Sequence, residues 1–287
     1  MKKREFPNLP LMVEGMAIGI ANAVPGVSGG TIAVVVGIYD RVISAVSGFF
    51  SNEYGWKRNL LFLVQLAIGL LAGLIGFANI LDWLIEFYPY ETQFGFIGLI
   101  LGSVPFLVKL AEVPKLKLRH WVVFLVFLGI MIFVGLQERP PASEPLREFS
   151  FQSALTVFGA GIISSATMVI PGISGSFVLL LLQLYSTFIT AITELNLPLL
   201  GIFILGSILG IILVSKAIHW VLSRYHSLAY AAIIGLVIGS VVMLFPRDVN
   251  YAFTLWQALS FLLAFGVAFL LSGERKMKHQ TSTGGRE

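Results

Sequence analysis

Six stretches of this 287-residue chain, 59–81, 93–108, 121–136, 195–215, 225–246 and 249–273, contain no Asp, Glu, Lys or Arg. A backbone placed in hydrocarbon must satisfy its own hydrogen bonds. A helix that does so needs about 17–25 apolar residues to cross, at 1.5 Å each. The six stretches therefore read as six crossing helices, the shorter ones completed by flanking residues that reach the interface. Composition agrees: the chain is 57% hydrophobic and 12% charged, with a mean hydropathy of +0.89, whereas a soluble domain carries about 25% charged residues. A soluble enzyme, a disordered chain and a nucleic-acid-binding module are excluded. The net charge of +4 has to be read through its placement.

There is no cysteine, which removes disulfides, thiolate nucleophiles and Cys-based metal sites. The four histidines, His120, His219, His226 and His279, have no zinc-ligand spacing. No metal and no cofactor is expected. The basic start Met1-Lys2-Lys3-Arg4 ahead of an apolar stretch imitates a signal peptide. Glu14 interrupts that stretch, so a signal anchor or half-helix is the better reading.

Two further segments, 11–50 and 151–193, are about twice too long for one crossing. Each is broken near its middle, by Pro25-Gly26-Val27-Ser28-Gly29-Gly30 and by Pro171-Gly172-Ile173-Ser174-Gly175-Ser176. Irregular backbone at membrane depth survives only where protein or water covers it. Each segment is expected to be a helix–loop–helix that dips into the membrane and returns.

The two broken segments align without gaps at an offset of 146 (171 − 25), matching Gly15/Gly161, Pro25/Pro171, Gly26/Gly172, Ser28/Ser174, Gly29/Gly175 and Tyr39/Tyr185. Beyond them the offset becomes 137 (206 − 69), matching Gly69/Gly206, Gly73/Gly210, Trp83/Trp220, Gly98/Gly235 and Gly102/Gly239. The change falls at the longer polar loop 51–59. The chain is read as an internal duplication. One returning segment plus three spans gives each repeat an odd number of crossings, so the repeats are inverted. With the N-terminus inside, all Lys and Arg except Arg139, Arg147 and Arg247 lie in or beside cytoplasmic segments, as the positive-inside rule requires. Making each broken segment a single crossing would put Lys57, Arg58, Lys109, Lys115, Lys117 and Arg119 outside.

The expected fold is thus an all-α polytopic membrane protein. It has two inverted repeats, each a broken, re-entrant helical hairpin plus three transmembrane helices. It is a single membrane domain with repeat one at 11–137, repeat two at 151–272, and a cytoplasmic tail at 273–287. Both termini are expected in the cytoplasm. Oligomeric state is not legible.

Inverted repeats with discontinuous helices are a transporter pattern. A helix that starts after a Gly-rich loop presents unpaired N–H groups and partial positive charge, a combination that binds phosphate or carboxylate. Glycines let the backbone close around the anion. Ser28, Thr31, Ser174 and Ser176 add hydroxyls. The bland alternative is that Gly and Pro are common in membrane helices and merely let them pack. Two copies, each at the middle of an oversized segment, favour the anion site. The pairs Gly69/Gly73, Gly98/Gly102, Gly206/Gly210 and Gly235/Gly239 favour packing. Glu14 either carries a coupling proton or lies at the interface. Arg41 either holds a phosphate on entry or exit or snorkels. Asn22, polar at depth, needs a partner.

The run Gly15-Met16-Ala17…Asn22-Ala23-Val24-Pro25-Gly26-Val27-Ser28-Gly29-Gly30-Thr31, followed by Gly37-Ile38-Tyr39-Asp40-Arg41, resembles the signature of the bacterial polyprenyl-phosphate transporters of the PopT type. Val169-Ile170-Pro171-Gly172-Ile173-Ser174-Gly175-Ser176-Phe177 resembles that family's second motif. The resemblance covers residues 10–272. It implies a flippase, not an enzyme, that recycles undecaprenyl phosphate across the bacterial inner membrane, with membrane lipids and possible protons as its other partners and no nucleic acid. Carried over residue by residue, it places substrate contacts on Asn22, Pro25, Gly26, Ser28, Gly29, Gly30, Thr31, Tyr39 and Arg41, and on Pro171, Gly172, Ser174, Gly175 and Ser176. The family pattern often has Asp where this chain has Asn22, and Glu where it has Asp40. A carrier or channel for a small soluble anion uses the same motif logic and is the alternative. A lipid phosphatase is disfavoured, because no intramembrane or interfacial His/Asp constellation is present.

Overall fold

A computed structural model of the chain describes residues 8–23, 28–51, 54–111, 117–137, 144–246 and 251–283. Among these residues all regular structure is helical. The order is α1 (Leu9–Ala23), α2 (Gly29–Val35), α3 (Tyr39–Ser47), α4 (Trp56–Phe87), α5 (Pro89–Leu110), α6 (Leu118–Leu136), α7 (Phe151–Val169), α8 (Gly175–Leu181), α9 (Tyr185–Thr193), α10 (Leu197–Arg224), α11 (His226–Gly239), α12 (Val241–Leu244) and α13 (Leu255–Thr283). Six spans, Trp56–Phe77, Pro89–Leu110, Leu118–Leu136, Phe151–Val169, Leu197–Arg224 and His226–Leu244, are long and apolar enough to cross a membrane. The number becomes eight if each of two bent helix pairs is one span. The chain is a multi-pass membrane protein. Five expected windows coincide with these spans. The sixth, 249–273, holds α13, whose described apolar part is Leu255–Leu270.

Helix starts keep the sequence offsets. Gly29 and Gly175, and Tyr39 and Tyr185, open equivalent helices 146 residues apart (175 − 29, 185 − 39). Pro89 and His226, and Leu118 and Leu255, do so 137 apart (226 − 89, 255 − 118). Of the nine residues by which the register changes, five lie in the longer α3–α4 connection, 48–55 against 194–196, and four in the longer stretch of α4 ahead of Gly69 than of α10 ahead of Gly206.

The broken segments hold one more break than a helix–loop–helix. After the glycine-rich loop, a two-turn helix (α2 or α8) bends by 119° into α3 and by 112° into α9. Both bends are the same backbone turn. Ile38 N–H donates to Ala33 C=O at 3.0 Å and Gly37 N–H to Val34 C=O at 3.0 Å. Leu184 N–H donates to Leu179 C=O and Gln183 N–H to Leu180 C=O, both at 2.9 Å. These paired bonds close the helix ends and require a left-handed residue. In the first turn that residue is Gly37 (φ 73°) and in the second it is Gln183 (φ 59°).

The chain forms two compact units that do not follow the repeat boundary. One unit contains residues 1–77 and 137–224, the other 78–136 and 225–287. In the first, α1 packs on α4 and α7 on α10, with glycine backbone against carbonyl oxygen. Gly69 lies against Met12 O and Gly206 against Phe158 O. Lipid supplies no hydrophobic drive for such contacts, so close backbone approach supplies the dispersion energy. In the second unit α5 packs on α13 and α11 on α6. Gly98 lies against Phe261 O and Gly235 against Phe124 O, so each repeat lends a helix to the other.

Candidate functional site

The first unit gathers both broken segments. α1 ends at Ala23 and α2 begins at Gly29. Pro25 and Gly26 lie outside the described residues. Ser28 is the N-cap of α2, with extended backbone (φ −94°, ψ 130°), but its side chain caps nothing. Ser174 stands in the same place before α8 (φ −89°, ψ 127°), also without a capping bond. The first ladder bonds are Ile32 N–H to Ser28 C=O and Val178 N–H to Ser174 C=O, both 3.2 Å. The N–H groups of Gly30 and Thr31, and of Gly175, Ser176 and Phe177, therefore lie ahead of the ladders. Each of these helices has seven residues, so the aligned dipole is small. The polarity at each helix start rests on its leading N–H groups and nearby side chains more than on a macrodipole.

Asn22 reaches from α1 across the loop. Its Oδ1 accepts the Gly29 N–H at 3.1 Å. Its Nδ2 is buried and has no hydrogen-bond partner. The Ser28 hydroxyl, on a residue only 3% exposed, has none either. Leaving a buried polar group unpaired costs about 1–3 kcal/mol. Asn22, at the end of α1, and Ser28, at the start of α2, therefore bring two such groups to the two sides of one break.

Gly30 brings the second segment close: a Cβ there would stand 3.0 Å from Met168 O and 3.1 Å from Val169 O. Thr31, 1% exposed, accepts the Gly172 N–H on Oγ1 at 2.7 Å. Gly172 has a φ of 93°, which a side chain would strain. The Tyr39 hydroxyl, on α3, donates to Val169 C=O at 3.1 Å. Pro171 is fully buried. The second segment's hydroxyls are arranged differently. Ser174 and Ser176 bond each other at 2.9 Å, with Ser174 buried and Ser176 exposed, so the pair leads from the surface inward. The Ser164 hydroxyl donates to Gly175 C=O at 3.1 Å and braces the loop from α7.

Arg41 is held firmly. Its Nη1 and Nη2 both donate to Asn59 Oδ1, at 3.0 and 2.9 Å. Its guanidinium lies 4.1 Å from the Tyr54 ring centroid and 4.5 Å from that of Phe62. Such stacking on ring faces is favourable for Arg. Asn59 is fully buried and donates from Nδ2 to Phe49 C=O at 2.9 Å. In the sequence Asn59 both closes the polar loop 51–59 and opens the uncharged window 59–81; α4 already begins at Trp56. Its place at the edge of an uncharged window was the only available signal. Glu14 lies on α1, partly buried, one helix length before the loop. Among the described residues no group of three or more His, Asp or Glu is placed to hold a metal.

The chain matches, over residues 18–260, the family model described as undecaprenyl phosphate translocase-like. It is 34% identical over 270 residues to the polyprenyl-phosphate transporter of Staphylococcus aureus, an alignment that covers 91% of this chain and 94% of that protein. It is 31% identical over 250 residues to the polyprenyl-phosphate transporter of Vibrio cholerae, covering 83% and 78%. No solved structure matches it.

Proposed function

The chain belongs to the undecaprenyl phosphate translocase-like family, and from that membership we propose that it moves a polyprenyl phosphate across the bacterial inner membrane, head group first. It is a transporter and not an enzyme. The observation that carries the site is that two of the four buried, unpartnered side-chain atoms among the described residues, Asn22 Nδ2 and Ser28 Oγ, flank the same break. They sit where two broken segments meet. The phosphate is bound there by neutral donors: Asn22, Ser28, and the N–H groups of Gly30 and Thr31. The second loop offers Gly172, Ser174, Gly175 and Ser176. A hydrogen bond from a neutral donor to an ionised phosphate contributes about 1.5–3 kcal/mol, so a few suffice to replace hydration of the head group. Pro25 and Gly26 remain candidates from the sequence, while Arg41, in the first turn of α3, attracts the head group on the cytoplasmic side of the loop. Tyr39 ties the two segments together.

The two repeats are inverted, with re-entrant broken segments and both termini in the cytoplasm. Equal helix offsets and the shared backbone turn at Gly37 and Gln183 support the duplication. The asymmetry of Lys and Arg supports the sidedness. Alternating access between the two loops carries the head inward, recycling the carrier lipid, and Glu14 is the candidate for proton coupling.

Purified protein in liposomes with a labelled polyprenyl phosphate tests the reading. Gly29→Val is expected to abolish transport, because a Cβ at Gly29 would stand 2.6 Å from both Asn22 Oδ1 and Nδ2. Ser28→Ala combined with Ser174→Ala is expected to do the same. Normal flipping by folded Gly29→Val protein refutes the site. Uptake of a soluble anion without lipid movement would instead support the carrier or channel reading. Accessibility tags at Ser51 and Tyr251 test the topology: Ser51 on the outside is incompatible with inverted repeats.

A further inference from the structure

Two hydrogen bonds bridge the broken segments, and one of them uses a group that the phosphate needs. Thr31 Oγ1 accepts the Gly172 N–H at 2.7 Å, between residues 141 positions apart and both buried. The Tyr39 hydroxyl donates to Val169 C=O at 3.1 Å, 130 positions away. Gly172 belongs to the second glycine loop, whose N–H groups are its means of binding an anion. One of those N–H groups is occupied by an oxygen of the protein itself. Nearby, Asn22 Nδ2 and Ser28 Oγ are buried without partners. The first loop thus stands ready for an acceptor, while the second is filled from within.

We propose that Thr31 and Tyr39 form a clasp across the two loops, and that the substrate phosphate opens it by displacing the Thr31 hydroxyl from the Gly172 N–H. The proposal rests on the transport reading above. The Thr31 hydroxyl on this view is not a phosphate donor but an internal stand-in for a phosphate oxygen, while the Thr31 N–H stays among the donors. It keeps the Gly172 N–H paired while the site is empty, so the loop is not left with an orphaned donor at membrane depth. When the phosphate arrives, the bond is exchanged and not lost. The segments are then free to separate, with the Tyr39 bond as the second and weaker tie.

A purely structural role for the two bonds predicts the opposite sign for a simple substitution. Thr31→Val keeps the shape and removes the acceptor, leaving the Gly172 N–H for the phosphate without competition. A net hydrogen bond is worth about a factor of five in an equilibrium. Binding of farnesyl phosphate to purified Thr31→Val protein in micelles is expected to be about fivefold tighter than wild type. Thr31→Ser, which restores an acceptor, is expected to return to the wild-type value. Amide exchange of the segment containing Gly172 is expected to quicken in Thr31→Val without lipid and to slow again when lipid is added. If Thr31→Val does not fold, Tyr39→Phe gives the same test. It removes the bond to Val169, keeps the ring, and is expected to tighten binding by a few-fold. Equal or weaker binding by a folded Thr31→Val or Tyr39→Phe protein overturns the clasp. Failure of wild type to bind farnesyl phosphate saturably, with inorganic phosphate as competitor, overturns the transport reading and the clasp with it. Wild-type binding without tightening in the variants overturns the clasp alone.

Discussion

Removing the Ser28 hydroxyl should make the protein more stable and its binding weaker. Ser28 Oγ is buried without a partner in the protein, and although Ser28 is the N-cap of α2 its side chain caps no N–H. Ser28→Ala therefore forfeits none of the roughly 1 kcal/mol that a capping serine normally provides. It also relieves a desolvated hydroxyl that costs about 1–3 kcal/mol. Stability should rise by up to that amount. With the phosphate bound, the same hydroxyl makes a hydrogen bond to a charged acceptor, worth about 1.5–3 kcal/mol, so affinity should fall about tenfold to 150-fold.

The two measurements are thermal unfolding of the purified protein in detergent and equilibrium binding of a labelled polyprenyl phosphate. Ser150→Ala is the matched control. Ser150 caps α7 through a bond from Ser153 N–H and forms a reciprocal capping box. Its loss should lower stability by about 1 kcal/mol and leave affinity alone. A serine that holds structure and a serine that awaits a ligand thus move the two readouts differently. If Ser28→Ala melts lower than wild type and binds the lipid phosphate equally well, Ser28 is a structural residue and the site has been placed wrongly.

Three further changes probe the scaffold. Gly206→Val should prevent α10 from seating on α7, because Gly206 lies directly against Phe158 O. Loss of monodisperse protein on size exclusion would register this, whereas Gly201→Ala, with nothing within 4 Å of its Cβ position, should be silent. Asn59→Ala takes away the acceptor shared by both Arg41 nitrogens and should cost about 1.5–3 kcal/mol, read as a lower unfolding temperature. Gln183→Gly should raise that temperature slightly, since a left-handed non-glycine residue costs about 1–2 kcal/mol, part of which the greater freedom of unfolded glycine offsets.

The apolar spans and the helix starts after both glycine motifs were legible because each rests on a local rule. Charge-free windows mark spans, and a Pro-Gly pair ends a helix. The second break was not legible. Gly37 hinted at it in the first copy, but Gln183 occupies the same left-handed position in the second, and glutamine carries no turn signal. Helix α5 packing on α13, and α11 on α6, was hidden for a different reason. Glycine faces announce that a helix packs closely without naming its partner, and a partner from the other repeat fits as well as a neighbour. Arg41 was recognisable as a cation near the site, yet its anchor Asn59 lay in a stretch that looked like loop.

The described helices after the two glycine loops, α2–α3 and α8–α9, share one bend and one backbone turn, so the differences between them lie in their side chains. Under the offset of 146, Ser28 keeps its counterpart Ser174, but Asn22 faces Met168, Thr31 faces Phe177 and Gly30 faces Ser176 (168 − 22, 177 − 31, 176 − 30). Every one of these changes alters how donors are used. The first loop keeps two unpaired donors, on Asn22 and Ser28. The second has its serines satisfied by each other and its Gly172 N–H satisfied by Thr31. An anion entering the first loop gains bonds without breaking any, while entry to the second must first break internal ones. On the transport reading the two half-sites therefore differ in affinity, and the first is the one that captures. Replacing Ser176 by glycine would remove the partner that quenches Ser174 and bring the halves closer to equivalence. The head group should then partition more evenly between them, and net lipid movement should lose part of its directional preference in liposomes of uniform protein orientation.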